Sequence, residues 1–111
     1  MLSGIYLVTF VADGHRFDEG LVVINDGAVN GGDATYLYRG HFDQYGDDMK
    51  GSIEVRHYRG PLNGVLGPMK LFPLTLTGKT EGDNFSVSGG IPNLPTAAIT
   101  ITGTKVADLS S

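Results

Sequence analysis

The 111-residue chain has no cysteine. That removes disulfides, thiolate chemistry and cysteine-built zinc sites together, and it fits a cytoplasmic protein. Basic residues are scarce, with eight Lys and Arg against twelve Asp and Glu and a formal charge of −4. Nucleic-acid binding rests on clustered cations, so direct contact with DNA or RNA is not expected. The apolar run inside 1-MLSGIYLVTFVADG-14 is too short to span a bilayer. It has no Lys or Arg before it and no small-residue cleavage pattern after it, so it reads as a first β-strand, and no membrane association is expected. No segment carries a helical period of useful length. The length suits one domain, residues 1–111, with a single core.

Glycine is what the chain has in excess. Its 17 glycines are about twice the share expected from a usual ~7%, and they are spread along the chain as turns and kinks. Between them recur β-branched and aromatic runs closed by Gly, Asn or Asp. Strands are predicted near 4–12, 19–25, 28–31, 34–43, 50–59, 69–79, 84–90 and 97–106. Asn25-Asp26-Gly27 and Glu81-Gly82-Asp83-Asn84 read as tight hairpin turns, and Gly31-Gly32-Asp33 turns the chain between the third and fourth strands. Hairpins without helical crossovers predict an antiparallel meander. Eight such strands can close into an up-and-down β-barrel that has no exposed edges. Gly40, Gly51, Gly78 and Gly89 fall within predicted strands, where a small barrel bends sharply.

The two halves of the chain are patterned differently. Late strands alternate: Phe85 and Val87 against Ser86 and Ser88, and Ile99 and Ile101 against Thr100, Thr102 and Thr104. Each has one buried and one wet face. The first strand is apolar on both, with Ile5 and Leu7 opposite Tyr6, Val8 and Phe10. One of its faces needs a cover, either a second copy of the chain or the protein's own loops. Tyr6, Val8 and Phe10 are the expected homodimer interface. The irregular stretch 60-GPLNGVLGPM-69 carries Leu62, Val65, Leu66 and Met69, too apolar for a solvated loop. It is expected to plug a barrel mouth or to enter the dimer interface.

Catalytic and cofactor chemistry finds little support. His15, His41 and His57 lack the close same-face spacing of a preassembled metal site, and ordinary hydrogen-bonded histidines are expected. There is no G-x-S-x-G elbow, and Gly31-Gly32-Asp33 lacks the strand–turn–helix setting of a phosphate loop. The carboxylate pairs Asp18-Glu19 and Asp47-Asp48 lie in predicted turns, where solvated charge is the ordinary reading. The chain is read as a non-enzyme with no metal and no cofactor.

Gly4-Ile5-Tyr6, Glu19-Gly20, Gly31-Gly32-Asp33 and Tyr38-x-Gly40, in that order and spacing, resemble the GrlR family of negative regulators of type III secretion genes. A looser match continues through His57-Tyr58 and Val65-Leu66. The resemblance implies a dimeric, lipocalin-like eight-stranded antiparallel barrel with a hydrophobic cavity and a plug-like loop, placed here at Leu62, Val65 and Leu66. It implies a non-catalytic role, binding a GrlA-like transcriptional activator and keeping it from its promoter. The family makes that contact through four consecutive acidic residues after the Y-x-G strand. Here the equivalent turn reads 43-DQYGDD-48, which keeps Asp43, Asp47 and Asp48 but breaks the run. These three are the expected partner-binding residues. The alternative is an apolar small molecule or lipid held in the barrel, with Tyr36 and Tyr38 at the cavity, unless large inward residues such as Phe72, Leu74, Leu76 and Phe85 fill it.

Overall fold

The computed structural model describes residues 2–12, 14–61, 70–92 and 98–110, with the side chains of 17 and 18 excepted. The proposed plug residues Leu62, Val65 and Leu66 lie outside these. Eight strands follow one another: β1 (Gly4–Ala12), β2 (His15–Asn25), β3 (Ala28–Gly32), β4 (Tyr36–Tyr45), β5 (Asp48–His57), β6 (Leu71–Glu81), β7 (Asn84–Gly90) and β8 (Ile99–Ala107). Each pairs antiparallel with its sequence neighbour, and β8 returns to β1 to close a barrel. No helix among the described residues is long and apolar enough to cross a membrane.

Turn chemistry and glycine placement explain the closure. Asp26 and Gly27 join β2 to β3 with φ of 50° and 84°, the left-handed pair that a two-residue hairpin of matching twist requires. Further on, β4 and β5 cross so closely that a Cβ on Gly40 would lie 2.0 Å from the Ser52 carbonyl oxygen. A Cβ on Gly51 would lie 2.0 Å from that of His41. No side chain fits there, and the strands coil tightly enough to bring the sheet round on itself.

Alternation along each strand then divides inside from outside. The interior holds Tyr6, Val8 and Phe10 of β1, Tyr36, Tyr38 and Phe42 of β4, Phe72, Leu74 and Leu76 of β6, and the inward residues of the other strands, all buried. Its aromatic rings meet at tilted angles, Phe10–Tyr38 at 4.9 Å, Tyr6–Phe85 at 5.6 Å and Phe42–Phe85 at 6.3 Å between centroids.

Tyr6, Val8 and Phe10, expected on a dimer interface, therefore point into the barrel, only 1%, 3% and 2% exposed. β1 is apolar on both faces. The face carrying the two rings buries the larger area, so it takes the inside. The outward apolar residues are Ile5 and Leu7, paired in register with Val23 and Leu21 of β2. Leu21 is 51% exposed and Val23 40%.

Candidate functional sites at the two barrel ends

The β4–β5 hairpin carries the three carboxylates expected to bind a partner. β4 runs to Tyr45 and β5 begins at Asp48, so Gly46 and Asp47 alone form the turn, with Gly46 at φ 62°. The strands thus reach two residues further than the pattern of hydrophobic residues predicts at one side of the tip and begin two earlier at the other. Asp43 belongs to a strand and Asp48 opens the next; all three carboxylates are exposed at one hairpin end.

They are not a bare acidic patch. Asp43 Oδ1 sits 3.2 Å from His41 Nε2 and lies directly across from Lys50 in the ladder. Lys79 Nζ donates to Asp48 Oδ1 at 3.0 Å, and the Asp48 carboxylate raises the lysine pKa, chiefly through that hydrogen bond. The Thr80 N–H donates to the Asp47 carbonyl at 2.8 Å, tying the tip to β6. The Asp47 carboxylate has no ion pair among the described residues. Lys50 also stands 5.9 Å above the ring of Tyr45, which is 64% exposed. Such exposed pairs contribute little to stability, and an incoming cation can displace them. Sequence reading missed Lys50, Lys79 and Tyr45 here, whereas it reads His41 as an ordinary hydrogen-bonded histidine. The two-residue turn, once located, would have placed Lys50 opposite Asp43.

The other end is organised by Asp33, between β3 and β4. Its Oδ1 accepts the N–H groups of Thr35 and Tyr36, both at 2.7 Å, while the Tyr38 hydroxyl donates to Oδ2. An aspartate that captures the amides two and three residues on turns the chain without a helix. The segment after β5 then locks onto the same turn. Tyr58 donates its hydroxyl to the Asp33 carbonyl at 2.7 Å and its N–H to that of Thr35 at 2.9 Å. Arg59 Nε donates to the Ala34 carbonyl at 2.9 Å. His57 Nε2 lies 2.8 Å from the Gly60 carbonyl oxygen and its ring stands edge-on to Tyr36 at 5.5 Å. A Cβ on Gly20 would come within 3.0 Å of Tyr38 Cε2, so the absent side chain makes room for that ring. Gly20, Gly31-Gly32-Asp33 and Tyr38-x-Gly40 thus build the barrel rather than a binding surface.

Tyr36 and Tyr38, expected at a ligand cavity, are both buried and inward. Tyr38 borders an interior void of about 10 Å³ that is lined by apolar residues including Val8, Phe10, Ile24, Phe42 and Phe85. Tyr36 does not border it. That space is at the threshold for a single water, far below a lipid. Phe72, Leu74, Leu76 and Phe85 point inward, as anticipated for a filled interior. Among the described residues no three His, Asp or Glu side chains gather where they could hold a metal ion.

A family model described as a T3SS (type III secretion system) negative regulator, GrlR, matches residues 1–106. Among curated proteins, none matches the chain.

Proposed function

Because the chain belongs to the GrlR family of type III secretion system negative regulators, we propose that it acts without catalysis, by binding and sequestering a protein partner in the cytoplasm. A GrlA-like transcriptional activator is the expected target. The match over residues 1–106 carries the reading, and two structural features support it. The β4–β5 hairpin projects Asp43, Asp47 and Asp48 beside an exposed Tyr45, a mixture of charge and aromatic surface that suits a basic partner. The void beside Tyr38, at about 10 Å³, is too small to hold a lipid, which favours a surface contact over capture of an apolar ligand there.

The protein works as a homodimer in this reading, through the outer flank of β1 and β2. Ile5, Leu7, Leu21 and Val23 form a two-by-two apolar block in register, and a second copy is the partner always at hand to cover it. The test is co-expression with transcriptional activators of a type III secretion locus from the same genome, followed by affinity capture. Capture of an activator by the wild-type chain, reduced at least tenfold by Asp43→Ala/Asp47→Ala/Asp48→Ala in a variant that melts like wild type, supports the reading. No capture, or capture indifferent to the triple substitution, rejects the proposed surface.

A further inference from the structure

We propose that the outer face of β4–β5–β6 is a second docking surface, built for an acidic amphipathic helix of a partner protein and separate from the acidic hairpin. Three of the chain's four arginines, Arg39, Arg56 and Arg59, fall on or beside this face. Leu37, Arg56 and Leu71 stand side by side in one cross-strand row. Arg39 flanks that row on β4, and Tyr58 flanks it just past the end of β5. Leu37, Tyr58 and Leu71 are 38%, 45% and 55% exposed.

The charges decide the occupant. Arg16, Lys79 and Lys105 each pair with a carboxylate of this chain. Arg39 and Arg56 have no ion pair among the described residues, although Glu54 lies directly opposite Arg39 in the ladder. Arg59 stands 5.8 Å from the Tyr58 ring, and among the described residues only its Nε has a hydrogen-bond partner, the Ala34 carbonyl. On a chain whose formal charge is −4, three guanidiniums gather here beside Glu54, and the carboxylate of nearby Asp33 is already taken up by Thr35, Tyr36 and Tyr38, which leaves a local excess of positive charge. Arginine and tyrosine are enriched in binding hot spots, the exposed leucines add apolar area to cover, and planar guanidinium groups suit carboxylates in particular. Three strands at a spacing of about 4.8 Å span roughly 10 Å, the width of a helix with its side chains. The row of Leu37 and Leu71 would receive the apolar stripe and the guanidiniums the acidic flanks.

The test measures fluorescence anisotropy of a labelled 16-residue helical peptide, with leucines every three or four positions and glutamates on both flanks, against the whole chain. A second peptide with every glutamate replaced by lysine is the control. Expected are saturable binding at least tenfold tighter for the glutamate peptide, weakening as NaCl is raised, and a reversed preference in Arg39→Glu/Arg56→Glu. Leu37→Ser/Leu71→Ser loses affinity at least tenfold with an unchanged thermal melt, since both side chains face outward. Asp43→Ala/Asp47→Ala/Asp48→Ala binds the peptide like wild type, which separates this surface from the hairpin. The proposal is overturned by absent binding, by equal binding of the two peptides, or by indifference to the arginine reversals. It is equally overturned if sedimentation shows those reversals dispersing an oligomer, or if phosphatidylglycerol vesicles capture the protein while the peptide does not.

Discussion

One flank of this barrel is oily outside and the other is wet, yet the two are alike within. Through the middle of β6, β7 and β8 the outward residues include Thr75, Thr77, Ser86, Ser88, Thr102 and Thr104, with exposed Leu71 and Val106 towards the strand ends, and Ser88 and Thr100 join hydroxyls at 2.9 Å. On β1 and β2 the corresponding outward positions are Ile5, Leu7, Leu21 and Val23. Inward, Leu74 and Leu76 on the wet side and Tyr6 and Phe10 on the oily side are equally buried. The interior is thus what every strand needs in order to fold, and it cannot distinguish the flanks. The outer face can. Threonine and serine satisfy water permanently, whereas a block of leucine, isoleucine and valine gains only when something covers it.

Four experiments probe this contrast and the packing behind it, the largest effect first. Leu76→Ala on the wet flank removes a fully buried side chain and lowers unfolding stability by about 2–5 kcal/mol, whereas its outward neighbour Thr77→Ala stays within about 0.5 kcal/mol. Chemical denaturation of both variants checks this, and equal losses would erase the distinction between inside and outside. Leu7→Lys/Leu21→Lys on the oily flank weakens self-association by roughly 100-fold, about 2.7 kcal/mol, while the melting of the monomer is retained. The matched wet-flank pair Thr77→Lys/Thr102→Lys leaves sedimentation unchanged. If both pairs behave alike, the apolar flank is not where copies meet.

Tyr38→Phe removes the hydroxyl that bolts β4 to the Asp33 carboxylate. A loss of about 1.5–3 kcal/mol is expected, the range for hydrogen bonds to charged groups, and Asp33→Asn should lose less because its side-chain oxygen still accepts from Thr35 and Tyr36. The smallest effect is one of pH. Burial pushes the Tyr6 phenol above its ordinary value of 10.0, with Lys105 and the Ser3 backbone pulling it partly back. A raised folded-state pKa means that the folded chain holds this proton where the unfolded chain has lost it. The Tyr6 contribution is therefore complete below pH 10 and is lost as pH rises beyond that value. Tyr6→Phe should lose less stability than wild type between pH 9 and about 11, followed by denaturant midpoints at each pH.

Much of the fold was legible because hairpins are local. Asn25-Asp26-Gly27 identified its own turn, and β7 was read with the ends it has. The β4–β5 tip was harder. Tyr45 and Gly46 look like loop residues, yet backbone pairing continues to Tyr45 and Asp48, because a two-residue turn with a left-handed glycine lets the ladder run to its end. The orientation of β1 was not legible at all. Two apolar faces leave the parity open, and the decision required the opposing strands. Gly103 is where Phe85 packs, a Cβ there falling 2.1 Å from the Phe85 ring, and Tyr6 meets that same ring at a tilt. The candidate partner site was legible as three aspartates but not as an ion-paired surface, since Lys79 lies 31 residues from Asp48 in the chain.

Composition and local pattern by themselves determined an antiparallel β-protein without cysteine chemistry, its hairpin turns and the glycines at which its strands must bend. These depend on φ, on steric room and on alternation, all properties of a residue and its near neighbours. Only the closed barrel decided which face of β1 became core, which carboxylates met lysines and which arginines have no ion pair among the described residues. Those outcomes depend on what lies across a strand boundary, and ring closure alone brings β8 beside β1.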